Sequence, residues 1–411
     1  MSLDRFPPLI SAQLHYLLAH YPDIIKVEHT WSGSKYNSGI HDRFTLLIPY
    51  CLDYLKWDVL YNVDSPLAPP DVIFGPDDED FHPLLGLDGV GDLVLEKSSL
   101  CDWNNQDPRR LLALIVELRK KYMAYQRNRV GAVDDDRLKF EISTFGSREV
   151  IFRTQFERML NIPLSCNASY NISLKTPVTL LQGIEMHMSS GFEKPEEVKF
   201  AVPLLDMNIN KMVLACPWRY PQKIYLQVVY PVTRKYGSAP SAPRLKLMST
   251  PDLKELFSIE DVKLPPWVDG MCMAEYLPPL EELLQRQVVE AVTSIDARRC
   301  FIEALVPWFG RPLEADSVFC RKVSFLAASG VFTFLVHFFL GTQFPKQQPV
   351  LILQSTQHFN MHGTPVKSTP LSEYPWSPRW EASQMAERMY DFLADESHNF
   401  KKYCSEYHLQ Q

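Results

Sequence analysis

Residues 323–353 read VSFLAASGVFTFLVHFFLGTQFPKQQPVLIL, and this stretch decides the fold. Its first eighteen positions contain no Asp, Glu, Lys or Arg, which reaches the lower length limit for a transmembrane helix. Against a helix, Ser329-Gly330 offers a turn in the middle, and the residues after it are mostly β-branched or aromatic, as strands favour. The stretch therefore predicts a buried β-hairpin in preference to a membrane span.

A proline-rich corner follows the hairpin and leads into another apolar strand. FPKQQP at residues 344–349 precedes VLIL at 350–353, and SPLAPP at 65–70 precedes DVIF at 71–74. Proline has no N–H to give to a sheet ladder, so both clusters must lie outside the paired strands, where the fixed φ angle directs the next strand. The repeated corner indicates two copies of one antiparallel unit.

The elements around the N-terminal corner form a simple series. The spacing of leucines predicts an amphipathic helix over residues 8–20, and short apolar or alternating runs predict strands over 44–50 and 54–63. After the corner, Pro108 begins a predicted helix with a single apolar stripe. The order is helix, meander and helix.

The C-terminal corner lies in the same order of elements. Ser294 is predicted to cap a helix, and strands over 318–327 and 331–340 follow it. A helix with Met385 and Met389 on one side is predicted to close the unit.

A weaker third copy lies between these two. Predicted strands at 224–229 and 244–247 flank a corner at 240–243. The fold class is therefore α+β, built from tandem units that each contain an antiparallel β-meander with flanking helices. The predicted units cover residues 1–132, 138–262 and 270–411.

Composition excludes several classes of function. Across 411 residues, 42 basic and 49 acidic side chains give a net charge of −7, the wrong sign for a protein that binds nucleic acid phosphates. With 32 Pro and only 16 Gly, glycine-rich phosphate loops are disfavoured. The eight cysteines are never closer than twenty residues, so no local metal knuckle is expected. The first residues lack the features of a secretory signal, and we expect a cytoplasmic or nuclear protein.

The C-terminal unit carries a spaced set of residues. Asn360, Ser368 and Trp376 fall at steps of eight. In order of elements and in this spacing, the unit resembles ubiquitin-conjugating enzymes and their inactive variants, the UEV and RWD domains, which place a turn asparagine, the catalytic cysteine and a tryptophan at similar steps. The resemblance implies that Ser368 replaces the cysteine.

The N-terminal unit also lacks a thiol at the matching position. His82-Pro83 is followed by Leu84 instead of asparagine, and counting back eight from Trp103 reaches Leu95. Ubiquitin transfer needs a thiolate that forms a thioester and a donor that stabilises the oxyanion. The sequence therefore predicts that neither unit is an enzyme.

Three longer motifs are more specific. PPDVIFG at 69–75, FLVHFFL at 334–340 and YPWSPRW at 374–380 resemble the BRE family, whose members are non-catalytic subunits of the BRISC and BRCA-A deubiquitinating assemblies. The resemblance implies a scaffold or adaptor that joins a JAMM-type zinc metalloprotease and its Abraxas-type scaffold to a MERIT-type adaptor. It also implies action on lysine-sixty-three-linked polyubiquitin, no cofactor, and links to DNA damage, DNA repair and apoptosis in cytoplasm and nucleus.

Other chemical interpretations stay open. A divergent conjugating enzyme could use Cys101 or another thiol, and a stand-alone ubiquitin-binding receptor would need no protease. His358 and His362 have the spacing of zinc ligands on a helix, but Gly and Pro after them predict a loop. The basic run at 119–129 ends a helix, where cations complement the carbonyl dipoles.

Candidate partner-binding residues come from two aromatic groups near the C-terminus. Interfaces take much of their energy from buried aromatic and arginine anchors. Tryptophans that merely close the sheet, and a tail helix that packs on its own unit, are the structural alternatives. The candidates are Trp376, Arg379 and Trp380, and, in the predicted tail helix at 397–411, Phe400, Tyr403 and Tyr407.

Overall fold

The computed structural model describes residues 5–21, 24–33, 39–62, 65, 67–83, 99–101, 103–147, 184–191, 194–218, 220–232 and 242–409. In these residues the chain forms five α-helices and three antiparallel sheets, so the predicted α+β class is confirmed. Each sheet pairs its strands in chain order, as a meander does. The limits predicted for the three units stay a prediction.

The first sheet packs its inner face against helices α1 and α2. Its inner face alternates along β2 and β3, where Phe44, Leu46 and Trp57 are fully buried while the residues between them face outward. The predicted stripe of α2 packs against these rings and is confirmed. The elements are α1 (Pro8–His20), β1 (Lys26–Trp31), β2 (Arg43–Tyr50), β3 (Asp53–Leu60), β4 (Asp71–Ile73) and α2 (Arg110–Gly131).

The second sheet forms the predicted middle meander. Along β7, Ile224, Leu226 and Val228 alternate with residues that face outward. These three side chains pack in one core with residues of the helices that precede and follow the sheet in the chain. The elements are α3 (Asp136–Ser147), β5 (Glu185–Gly191), β6 (Lys194–Met207), β7 (Gln222–Pro231) and β8 (Arg244–Ser249).

A single helix, α4 (Met273–Phe309), contributes buried side chains to two hydrophobic cores. Its first two-thirds, as far as Ile295, pack on the second sheet, whereas Phe301 and Leu305 pack on the third. The prediction that Ser294 caps a helix is wrong, because Ser294 lies inside α4. Its hydroxyl lies within hydrogen-bond distance of the carbonyl oxygens of Thr342 and Phe344, at 2.9 and 2.6 Å.

The third sheet contains the predicted hairpin. Val323 pairs with Phe338 and Phe325 with Val336, and Gly330 takes the positive φ of +62° at the turn between the strands. No helix of the described ranges is long and apolar enough to cross a membrane. The elements are β9 (Glu314–Ala315), β10 (Lys322–Ser329), β11 (Phe332–Phe339), β12 (Val350–Phe359), β13 (Pro365–Lys367) and α5 (Ala382–Leu409).

Candidate functional site

The resemblance places a catalytic cysteine at the position of Ser368. The hydroxyl of Ser368 is hydrogen-bonded to backbone groups. The Leu353 N–H donates to Ser368 Oγ at 3.0 Å, and the hydroxyl donates to the Thr369 carbonyl oxygen at 2.8 Å. The Ser368 N–H also donates to the Leu353 carbonyl oxygen at 2.8 Å. A serine becomes a nucleophile when a neighbouring base takes its proton. Here the proton points at a carbonyl oxygen, so Ser368 extends the strand pairing and is not activated.

Asn360, the turn asparagine, holds the loop between β12 and β13. Its side-chain oxygen accepts from the N–H groups of His362 and Thr364, both at 2.9 Å. Gly363 completes this turn with a φ of +72°. These bonds fix the side chain in the geometry that an asparagine commonly adopts in a turn. These hydrogen bonds within the turn explain why an asparagine occupies position 360.

The corresponding region of the first unit is a cavity beside β4. Leu84 and Leu95, the residues predicted at the asparagine and cysteine positions, lie outside the described residues. The cavity has a volume of about 460 Å³ and is lined by Phe74, Phe81, Asp78 and His82, among others. The Tyr122 hydroxyl donates to Asp78 at 2.9 Å, and burial together with this carboxylate raises the pKa of Tyr122. Asp78 therefore ties α2 to the cavity wall.

The thiols offer little support for the conjugating-enzyme interpretation. Cys101 is exposed in the turn before Trp103. Burial raises the pKa of the Cys51, Cys320 and Cys404 thiols, whereas a nucleophilic cysteine needs a lowered pKa. These three buried thiols are packing residues.

His358, one of the two histidines considered as metal ligands, is hydrogen-bonded to a serine. His358 lies in β12, not in a loop as predicted, and its Nδ1 is 3.0 Å from Ser355 Oγ. Within the described ranges, no group of three or more His, Cys, Asp or Glu side chains could hold a metal ion.

Trp376 and Trp380 lie where α4, the third sheet and the segment before α5 meet. Trp376 Nε1 donates to the Pro345 carbonyl oxygen at 2.8 Å, and its ring contacts Phe301. Trp380 packs on Trp376 with ring centroids 6.4 Å apart, and both are partly buried. Arg379 between them is exposed. The two rings close the core, and Arg379 remains accessible to a partner.

The predicted tail helix is the second half of the continuous helix α5. Phe400 is only 2% exposed and packs on Phe332 and Phe334, so the structure removes it from the candidate surface. Tyr403 is 45% exposed. The side chain of Tyr407 lies outside the described residues. Of the three tail candidates, Tyr403 is the one that the structure leaves on the surface.

A polar contact that the sequence did not indicate joins the first and second sheets. The Tyr50 hydroxyl donates to the Met186 carbonyl oxygen at 2.6 Å, and the Cys51 N–H donates to Glu185 Oε2 at 2.5 Å. Arg119 forms an ion pair with Glu185. The predicted capping role of the basic run therefore does not describe Arg119, whose partner lies on another sheet.

This chain is similar in sequence to known proteins. The sequence model of the family described as brain and reproductive organ-expressed protein (BRE) matches residues 17–189 and 179–359. The chain belongs to the BRE family. The resemblance to this family is thereby confirmed, and the match includes the motifs at 69–75 and 334–340.

Two relatives align with this chain over most of their sequences. "BRISC and BRCA1-A complex member 2" of Branchiostoma floridae is 27% identical over 365 residues, which are 88% of this chain and 84% of the relative. The protein of the same name from Danio rerio is 29% identical over 357 residues, covering 84% and 80%. The BRE match ends at residue 359, so Ser368, Trp376 and α5 lie beyond it.

Proposed function

We propose that this chain is a non-catalytic scaffold or adaptor subunit of a BRISC- or BRCA1-A-type deubiquitinase complex. The names of the two relatives, which describe complex members, support a subunit role. The observation that carries the non-catalytic part is the Ser368 hydroxyl, which bonds to two backbone groups at the position of the missing thiol.

The finer parts of the proposal concern partners and place. In this proposal the chain bridges a JAMM-type metalloprotease and an Abraxas-type scaffold to a MERIT-type adaptor, and the complex acts on lysine-sixty-three-linked polyubiquitin in cytoplasm and nucleus. The presence of three separate sheets supports bridging, because separate surfaces can hold separate partners. Arg379 and Tyr403 are the candidate residues that stay accessible.

Co-expression tests the bridging role. The full chain is produced with the scaffold, the metalloprotease and the adaptor, and the mixture is separated by size exclusion. We expect all four proteins in one stoichiometric peak, and loss of the adaptor from the core when this chain is omitted. Retention of the adaptor without this chain would contradict bridging. A chain that elutes alone yet binds polyubiquitin would support the stand-alone receptor.

Charging with ubiquitin tests the non-catalytic part. Purified chain is incubated with activating enzyme, ATP and ubiquitin beside an active conjugating enzyme. We expect no reducible adduct on the chain, because a serine at the position of the cysteine cannot form a thioester and the hydroxyl of Ser368 is bonded to backbone groups. A reducible adduct on the unaltered chain that disappears in Cys101→Ser would establish the divergent enzyme instead.

A further inference from the structure

The two faces of the third sheet differ in what covers them. Side chains of Phe325, Val336 and Leu353 point to the inner face and are fully buried. Helices α4 and α5 pack on this face, for example through Phe301 on Phe338. An antiparallel sheet with one packed face usually shows polar side chains on the other.

The outer face of the third sheet carries leucine, isoleucine and phenylalanine side chains among polar residues such as Ser324, His337 and Gln354. Pairing places Leu326 opposite Leu335, and Phe339 lies between Lys322 and Val350 on the neighbouring strands. Leu326 is 48% exposed and Phe339 is 37% exposed. The face also contains Ile352, which pairs with His337. Contiguous exposed apolar side chains of this kind mark interaction sites.

The outer face of the first sheet shows what a solvated face of this chain looks like. Lys56 forms an ion pair with Glu28 at 2.8 Å, and the Lys26 ammonium lies 5.2 Å from the centroid of the Tyr54 ring. On this face Leu47 lies between Lys26 and Lys56, so charged side chains flank the apolar residue of the central strand.

The outer face of the second sheet shows that such a face can hold another unit. The turn at Tyr50 and Cys51 lies against β5 and β6, where Cys51 Sγ is 3.5 Å from the Lys199 carbonyl oxygen. Ala201, an outward residue of β6, is buried in the core of the first sheet. Docking on an outer sheet face is therefore already present within this chain.

Charges at the rim of the third sheet are mainly positive. Lys322 pairs with Glu314 at 2.8 Å, and Lys367 has no carboxylate partner among the described residues. These three groups surround His337, whose pKa is lowered chiefly by burial and further by the two lysines. His337 is therefore mostly neutral at pH 7 and can be covered at lower cost than a charged group. The remaining positive charge favours a partner with carboxylates and disfavours stacking on a second copy.

We infer that the outer face of the third sheet docks another subunit, which presents apolar side chains surrounded by an acidic rim. The inference rests on the proposed function, because it names the chemistry of one partner surface. Leu326, Leu335 and Ile352 contact the apolar side chains of the partner, and Lys367 faces its carboxylates.

Zero-length cross-linking of the co-expressed complex tests the inference. A carbodiimide joins lysines to carboxylates that touch them, and mass spectrometry identifies both residues. We expect Lys367 to link to Asp or Glu of another subunit, whereas Lys322, which pairs with Glu314 at 2.8 Å, should link within its own chain. Lys56, on the first sheet, should link to Glu28 of its own chain and serves as the matched control. Links from Lys367 only to its own chain, to a second copy or to ubiquitin would overturn the inference.

A pair of variants gives an independent measurement. Leu326→Asp places a carboxylate in the centre of the face, and Tyr54→Asp makes the same change on the first sheet at a similar exposure of 42%. We expect Leu326→Asp to weaken retention of the linked subunit by about tenfold or more, and Tyr54→Asp to leave it within about twofold. If Leu326→Asp keeps every subunit, the inference fails while the proposed function stands. If the unaltered chain recovers no subunit, both fail.

Discussion

Replacement of Arg298 by methionine is expected to lower the free energy of unfolding of the third-sheet region by about 3 kcal/mol. Arg298 lies in α4 and is only 1% exposed. Its guanidinium donates to the carbonyl oxygens of Phe319 at 2.8 Å and Gly341 at 2.9 Å, and to Ser294 Oγ at 3.0 Å. Methionine fills a similar volume but removes the donor from the Phe319 carbonyl oxygen and from Ser294 Oγ, whereas Gly341 keeps the Phe344 N–H at 3.2 Å. Each buried acceptor that loses its donor costs about 1–3 kcal/mol.

Two features set the size of this effect. Burial lowers the pKa of Arg298 to about 10, so the side chain is still cationic at neutral pH and its desolvation opposes folding. Removal of the charge recovers part of that cost, which is why the expected loss is smaller than the sum over three bonds. The bonds join α4 to the segments before β10 and after β11, so we expect their loss to loosen the hairpin.

Hydrogen exchange of peptides from β10 and β11 measures the loss, with Arg299→Met as the matched control. Arg299 is the next residue, is partly exposed, and pairs with Asp296 at 3.1 Å. Its replacement should cost less than about 1 kcal/mol. Equal protection of the hairpin in the two variants would mean that Arg298 acts only by packing.

Periodicity in the sequence was enough to predict the central strands of the first and third sheets, but β1, β5 and β6 were not predicted. The eighteen-residue apolar stretch divides at Gly330 into two strands whose pairing buries Phe325 and Phe338 together, as alternation requires. The proline corners also direct the following strands as expected. These features are local, because each depends on neighbouring residues and on the period of two along a strand.

Features that depend on contacts between distant segments could not be predicted in this way. Ser294 has the chemistry of a helix cap, but α4 begins 21 positions earlier because its first turns pack on the second sheet. The helical spacing around Phe400 predicts α5 without indicating which of its faces meets the sheet. Arg119 and Glu185 are 66 residues apart, so no local pattern links them. The candidate surface was therefore only partly predictable: Arg379 and Tyr403 are on it, and Phe400 is not.

A second large effect is expected at Glu141, a buried residue of α3. Its carboxylate accepts from the Tyr230 hydroxyl at 2.8 Å and from the Met273 N–H, at 3.1 Å to each oxygen. Met273 is the first residue of α4, where unpaired N–H groups and the helix dipole favour a negative charge. Glu141→Ala should therefore destabilise the packing of α3, β7 and α4 by about 3 kcal/mol, since two buried donors lose a charged acceptor.

Thermal unfolding of a double-mutant cycle separates the two contributions at Glu141. Tyr230→Phe alone removes one bond, and we expect it to couple to Glu141→Ala by about 1 kcal/mol. Glu275→Gln is the matched control, because Glu275 lies in the first turn of the same helix, is exposed, and accepts from the Cys272 N–H at the long distance of 3.4 Å. The control should change stability by less than about 1 kcal/mol. If Glu141→Ala is no more damaging than Glu275→Gln, the buried carboxylate does not hold the start of α4, and α3 stays on the second sheet through apolar contacts such as that of Leu138.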